Sequence, residues 1–272
     1  MTQATFQDDL DLALDAAGQA ADSLLRHWVD RAALTVTTKR AGDFLSEADT
    51  QAETILRDRL LSARPGDGWL GEETGEETGA TAPARRRWIV DPLDGTTNFL
   101  RGIPYWAVSV ALEVDGMRVL GVVHDPVKAE VFWALRGHGA WLNGVPLRVA
   151  PSDDISGALF GTGIPFGGMA HIDDHAADIA RLMPRCAGVR RMGAAALDLA
   201  YVAAGRLDGF WERRLQPWDI AAGLVLLHEA GARVESLDPA ETPETSGTVL
   251  AAAPGLFDQM AAILRDHPAS RA

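Results

Sequence analysis

The chain of 272 residues is 47% hydrophobic and 23% charged, enough apolar material to bury one large core or two small ones. Its 38 acidic residues outnumber its 25 lysines and arginines, and the formal net charge of −13 disfavours a nucleic-acid backbone as principal partner and favours cations. A single cysteine, Cys186, excludes an internal disulfide, the start MTQATFQDDL lacks the features of a leader, and no apolar run is long enough to span a bilayer, so a cytoplasmic protein is expected.

In chain order, apolar residues recur at helical spacing from Phe6 to Val29 and predict a long amphipathic helix. A strand is predicted over 33–38, and a second helix from Ser46, where Ser-Glu-Ala-Asp has the form of a capping box, to about Ala63. Residues 64–87 hold a short apolar segment, Gly68 to Leu70, then GEETGEETG and a loose tract, and read as a flexible surface loop. Strands over 88–90, 106–114, 118–124, 130–135 and 139–142, with turns at Asp115-Gly116 and Asn143-Gly144, predict an antiparallel meander. The second half alternates strands (157–161, 189–192, 207–212, 233–235, 249–252) with helices (171–184, 194–204, 218–230, 254–266), which implies a second α/β layer.

The strongest chemical signal is WIVDPLDGTTNF, residues 88–99. An apolar strand delivers Asp91 at its end, a Pro-Leu turn follows, and Asp94 projects nearby; two carboxylates so placed suit a hard cation such as Mg²⁺, which takes oxygen ligands. Gly95, Thr96 and Thr97 would open a helix whose free N–H groups suit a phosphate. Further on, Gln216-Pro217-Trp218-Asp219 precedes an Ala- and Leu-rich helix, with Pro217 before its start and Asp219 in its first turn. Taken alone, Asp219 would only offset the helix dipole; beside Asp91 and Asp94 it becomes a ligand arriving from the second layer.

Together, Gly71-Glu72-Glu73, Asp91-Pro92-Leu93-Asp94-Gly95-Thr96-Thr97-Asn98-Phe99 and Trp218-Asp219-Ile220-Ala221-Ala222-Gly223 make the chain resemble the inositol monophosphatase family over nearly its whole length. The resemblance implies a Mg²⁺-dependent, lithium-sensitive phosphomonoesterase with an α/β fold: a layered αβαβα sandwich of the inositol monophosphatase and fructose-1,6-bisphosphatase type. It implies one domain over 1–272, with halves at about 1–150 and 151–272, and a homodimer. By resemblance the metal ligands are Glu72, Asp91, the carbonyl of Leu93, Asp94 and Asp219. Glu72 would also hold the attacking water, and Thr96, paired with Asp49, would orient it. Substrate contacts would come from Asp94, Gly95, Thr96, Gly193, Ala194, Glu212 and Asp219. Relatives often carry Gly-Thr where this chain has Gly193-Ala194, so a hydroxyl contact is missing. Lys39 matches a lysine near the metal site, though most lysines before a Gly-Asp turn face solvent.

The doubled tetrad needs a choice. Trp69 and Leu70 lead rigidly into the first copy, and Glu72 precedes Asp91 by nineteen positions against fifteen for Glu76. Glu72 is therefore the expected ligand, with Glu73 beside it, and Glu76 and Glu77 the expected edge of a mobile loop near a third, weaker metal position. Arg213 and Arg214 would either reach an anionic group of the substrate or lie on the surface. Cys186 and His228 are assigned no role. The expected substrate is a small polyol monophosphate, foremost myo-inositol 1-phosphate. Histidinol phosphate is the nearest alternative, and regulatory protein binding in RNA synthesis is the alternative of another class.

Overall fold

The computed structural model of the chain describes residues 3–31, 34–40, 43–78, 86–164 and 172–266. Helix α1 (Gln3–Val29) buries Leu10, Ala13, Ala17, Ala20, Ala21 and Leu24, a stripe at three- and four-residue spacing. A small antiparallel pair, β1 (Val36–Arg40) and β2 (Asp43–Ser46), leads into α2 (Glu47–Ala63), which packs beside α1. The capping box at its start is present: the Ser46 amide donates to Asp49 Oδ2 at 2.9 Å, and the Ser46 hydroxyl bonds the same carboxylate.

Seven strands then complete most of the first half: β3 (Gly68–Gly71), β4 (Gly75–Glu77), β5 (Arg86–Asp94), β6 (Ala107–Val114), β7 (Met117–Asp125), β8 (Glu130–Leu135) and β9 (Ala140–Leu142), with β10 (Val145–Pro146) at the edge and α3 (Thr96–Arg101) between β5 and β6. They form an eight-stranded sheet of order β10-β9-β8-β7-β6-β5-β3-β4, antiparallel throughout except where β3 runs parallel to β5. The predicted meander is present, with Asp115 and Gly116, and Asn143 and Gly144, all at positive φ as tight hairpin turns require. Alternation sorts the sheet's two faces: Trp88, Val90, Val108, Val110 and Leu112 pack with α1 and α2, while Ile89, Ala107 and Ala111 pack toward the second half.

The second half contributes β11 (Leu159–Thr162), α4 (Ile172–Leu182), β12 (Gly188–Arg190), α5 (Ala195–Ala203), β13 (Gly209–Glu212), α6 (Pro217–Ala230), β14 (Arg233–Glu235), the single turn α7 (Pro243–Ser246), β15 (Val249–Ala252) and α8 (Pro254–Arg265). The five-stranded sheet has the order β12-β11-β13-β15-β14 and mixes parallel with antiparallel pairs. Helices α5 and α6 fill the space between the two sheets, and α4 with α8 covers the outer face, where Phe160, Trp211, Leu250, Phe257 and Met260 are buried. The layers are thus α1–α2, large sheet, α5–α6, small sheet, α4–α8, the αβαβα order that the resemblance implied. No helix among the described residues is long and apolar enough to cross a membrane.

Four expectations change. Within 64–87 the described residues are not a loop: the doubled tetrad is a β-hairpin, β3 and β4, joined to the sheet. The apolar β3 is only four residues long and the polar β4 only three, too short to show period-two alternation; β3 is fixed by long-range pairing with β5, and β4 by pairing with β3. Strand β5 extends through Asp94, well past Val90. Pro217 is the first residue of α6, with Gln216 as its cap, because proline lacks only an N–H that the first turn would leave unpaired. The predicted helix over 171–184 is α4 followed by a 3₁₀ turn at Met183–Arg185; residue 171 lies outside the described residues.

Candidate active site

Asp91 and Asp94 are three residues apart, and on a regular strand they would point to opposite faces. Between them the β5–β6 register slips: Asp91 faces Ser109 and Asp94 faces Ala107, so three steps on β5 oppose two on β6. This bulge turns both carboxylates to one side. Parallel pairing of β3 with β5 sets Gly71 level with Val90, and the Glu72 amide donates to the Val90 carbonyl at 3.2 Å, which brings Glu72 beside Asp91. The other half is joined at α6: the Ser109 hydroxyl of β6 donates to the Trp218 carbonyl at 3.4 Å and fixes the start of that helix, where Asp219 accepts from the Gln216 amide at 2.7 Å. Three segments distant in sequence therefore present four carboxylates to one another.

Their electrostatics show the crowding. Burial, then the charges of Glu72, Asp94 and Asp219, hold Asp91 far above the usual carboxylate range. Asp94 is pushed up to about 7 by burial and by Glu72, against the opposing amides of Ala196, Ala195 and Leu197; Asp219 is pushed up to about 7 by burial and Asp94. Asp94 and Asp219 keep part of their surface open, whereas Asp91 is 2% exposed. Glu212, buried at the end of β13, is also raised strongly, first by burial and then by Asp219, Asp198 and Asp94, with Arg191 opposing.

Thr96 opens α3, with Gly95 as cap at φ 94°; a side chain at Gly95 would stand 3.0 Å from the Tyr105 carbonyl. The Thr96 hydroxyl is 3.1 Å from both Asp49 Oδ1 and the Leu93 carbonyl, so the pairing of Thr96 with Asp49 is present. Burial raises Asp49, and hydrogen bonds from Ser46 and Thr96 hold it down. Gly193 lies at φ 91° beside Asn98, and Ala194 is buried immediately before α5.

The model of the inositol monophosphatase family matches residues 6–269. An inositol-1-monophosphatase of Mesorhizobium japonicum is 46% identical over 242 residues, covering 89% of this chain and 90% of the relative. The Nus factor SuhB of Escherichia coli is 38% identical over 258 residues, covering 95% and 96%. The crystal structure of the extragenic suppressor protein suhB of Bartonella henselae superposes with a TM-score of 0.92 at 39% identity, covering 96% of this chain and 100% of that one.

The chain belongs to the inositol monophosphatase family. As a member it is a phosphatase, a hydrolase of phosphoric monoesters. The candidate donor set of this family member fits a hard divalent cation: all are oxygens, four carboxylates and the Leu93 carbonyl, and the Glu72 and Asp91 carboxyls lie within hydrogen-bond contact, which two carboxylates tolerate only with a proton or a cation between them. Among the described residues no three His, Cys, Asp or Glu side chains stand as a finished metal cage.

Three residues of the site escape sequence reasoning. Glu53 of α2, 1% exposed, accepts the Glu73 amide at 2.9 Å, the Thr74 amide at 2.9 Å and the Thr74 hydroxyl at 2.5 Å, and so fixes the turn that carries Glu72. The only signal for it was its place on a stripe with Asp49, Leu56 and Leu60. Asn98 donates to the Tyr105 and Met192 carbonyls at 2.8 and 2.9 Å, joining the halves. Asp198 is a lone carboxylate in the otherwise apolar α5.

Other assignments are corrected. Glu76 and Glu77 sit on β4, paired with Arg87 at 3.2 Å and with Arg57, and are not the edge of a mobile loop. Arg213 is committed to the fully buried Asp178 by two bonds of 2.8 and 3.1 Å, tying β13 to α4. Arg214 is exposed, at φ 66°. The side chain of Lys39 lies outside the described residues.

Proposed function

We propose that the chain hydrolyses a small polyol monophosphate, foremost myo-inositol 1-phosphate, with Mg²⁺ held by Glu72, Asp91, the Leu93 carbonyl, Asp94 and Asp219. The observation that carries this reading is the convergence of four mutually repelling carboxylates beside the Thr96–Asp49 pair. When bound, the metal supplies charge neutralisation for a phosphate dianion and lowers the pKa of a coordinated water. The protein's own part is orientation. With its proton committed to Asp49 or Leu93, the Thr96 hydroxyl presents lone pairs to an attacking water, and Glu72 offers a second acceptor for that water's protons. The first amides of α3, without partners inside the helix, suit the phosphate oxygens. Glu212, buried and charge-crowded, is suited to accept hydroxyl donors of the polyol, and Gly193 and Ala194 would line the alcohol side.

The same acidic acceptor would suit an amino alcohol, so histidinol phosphate is the alternative substrate. Turnover of myo-inositol 1-phosphate and histidinol phosphate is to be compared with Mg²⁺ present; hydrolysis of histidinol phosphate alone would overturn the inositol reading. Replacing Asp94→Asn separates hydrolysis from a regulatory role by protein binding. Loss of cellular function with loss of hydrolysis supports the enzyme, and full cellular function without hydrolysis supports the binding role. A homodimer in the cytoplasm is the accompanying expectation, which light scattering on the purified protein tests for its assembly.

A further inference from the structure

Asp94 is held from two directions. Its carboxylate accepts from the first amides of α5, the Ala196 amide standing 2.7 Å from Oδ2, with Ala195 and Leu197 contributing. Its backbone runs through Gly95 to Asn98, whose side-chain amide donates to the Tyr105 carbonyl at 2.8 Å. The two holds meet at one residue, Tyr105, through its backbone carbonyl and its side-chain hydroxyl. The Tyr105 hydroxyl donates to Asp198 Oδ1 at 2.6 Å, and Asp198 lies in the same first turn of α5 as the amides that grip Asp94. The contacts close a ring: Asp94, the DGTTN segment, Asn98, Tyr105, Asp198, the first turn of α5 and Asp94 again.

Both members are built in. Tyr105 is 8% exposed and Asp198 1%, and the Tyr105 ring packs edge-on against Tyr201 at 5.6 Å with the Lys128 ammonium 5.1 Å from its centre. Burial keeps the phenol protonated, and burial also raises the Asp198 carboxyl, against which the hydrogen bond from Tyr105 holds it down. Close apolar packing of α5, with Leu199 seated against Gly223 of α6, excludes large displacements but has no directional preference; a buried hydrogen bond adds one and fixes the helix's rotation and axial position. A shift in either moves the amides of Ala195, Ala196 and Leu197 and swings the Asp94 carboxylate with them.

Resting on the phosphatase reading above, we propose that Tyr105 and Asp198 are positioning residues for hydrolysis: their hydrogen bond sets the register of α5 against the DGTTN segment and thereby the orientation of Asp94. Neither touches substrate.

The test uses the full-length protein and four variants. Tyr105→Phe keeps the ring and deletes the hydroxyl; it should lower kcat about tenfold or more while KM for myo-inositol 1-phosphate stays within about twofold. Asp198→Asn, which keeps an acceptor for the phenol, should hold kcat near that of the unmodified protein, whereas Asp198→Leu should lower it as Tyr105→Phe does. The double variant Tyr105→Phe, Asp198→Leu leaves no buried polar group unpaired, so its thermal midpoint should recover while kcat stays low. A double variant whose kcat recovers with its stability would reduce the pair to a structural contact and overturn the proposal. So would Tyr105→Phe with unchanged kcat. Amide hydrogen exchange decides the same point without catalysis: Tyr105→Phe should speed exchange at Ala195, Ala196 and Leu197 by about tenfold and leave α6 unchanged. If the unmodified protein hydrolysed no phosphomonoester, the phosphatase reading would fall, and unchanged exchange at those three amides would still refute the pair.

Discussion

At the scale of single residues, the two copies of Gly-Glu-Glu-Thr have unequal surroundings. Glu72 lies beside Asp91 and within its electrostatic reach, while Glu76 and Glu77 hold arginines on an exposed strand. Glu72→Gln should therefore lower kcat about a hundredfold or more, and Glu76→Gln should change it by less than about threefold, since exposed ion pairs contribute little; steady-state kinetics of both variants check this. The carboxylates also set a pH dependence. Asp94 and Asp219 both titrate near 7 in the folded protein, above the ordinary 3.8, so the folded state binds their protons more tightly than the unfolded state does. The stability they confer is present below about pH 4 and is lost as pH rises through about 7. With EDTA, the thermal midpoint should fall between about pH 5 and about pH 8; with Mg²⁺ the fall should shrink, because the cation binds the deprotonated carboxylates. An equal fall in both buffers would argue against a cation at these residues. Asp91, Asp94 and Asp219 were legible because each sits in a motif whose order survives without the fold. Asp198 and Asn98 were not, because their partners, Tyr105 and Met192, are close only once the chain is packed.

At the scale of elements, the hairpin β3–β4 shows how the turn that carries Glu72 is held in place. Glu53 receives two amides and a hydroxyl from the turn, and Trp69 Nε1 donates to the Thr74 hydroxyl at 2.9 Å. Gly71 is obligatory beneath them: a Cβ there would lie 2.5 Å from Glu53 Oε1 and 2.6 Å from Trp69 Nε1. Glu53→Ala should destabilise the fold by about 2–4 kcal/mol, since buried donors lose a charged acceptor, and should lower kcat although Glu53 itself reaches no substrate. Gly71→Ala should do the same by pushing Glu53 aside. Denaturant melts beside kinetics measure both effects, and a stability loss with kcat intact would show that the turn does not control Glu72. Sequence periodicity recovered the long helices and the meander, whose signals are local. It marked Trp69 and Leu70 of β3 only as a rigid apolar lead within a loop and missed β4 because a three-residue strand of Gly-Glu-Glu exists only through its neighbours, and it missed the extent of β5 because the bulge at Pro92 and Leu93 resembles a turn.

At the scale of the whole molecule, the site lies where the two halves share a layer. Helices α5 and α6 belong by sequence to the second half, yet their apolar residues pack in one cluster with Ile89, Ala107, Ala111 and Phe132 of the large sheet. The sheets cannot separate without opening this cluster, and the same α6 that fills it carries Asp219 into the acidic group while α5 holds Asp94. The layer order was available to sequence reasoning only through resemblance, since alternation of strands and helices does not say which helices are sandwiched. A shared layer predicts one cooperative unfolding transition despite two sheets. Far-ultraviolet circular dichroism reports both sheets and all helices. Tryptophan fluorescence is weighted toward the large sheet, through Trp69, Trp88 and Trp106, with Trp211 in the small one. The two signals should give coincident urea curves, and Asn98→Ala, which cuts the link from Asn98 to Tyr105 and Met192, should shift both together by about 1–3 kcal/mol. Two separated transitions, or an Asn98→Ala shift in only one signal, would mean that the halves fold as independent units and that the acidic group forms only when they dock.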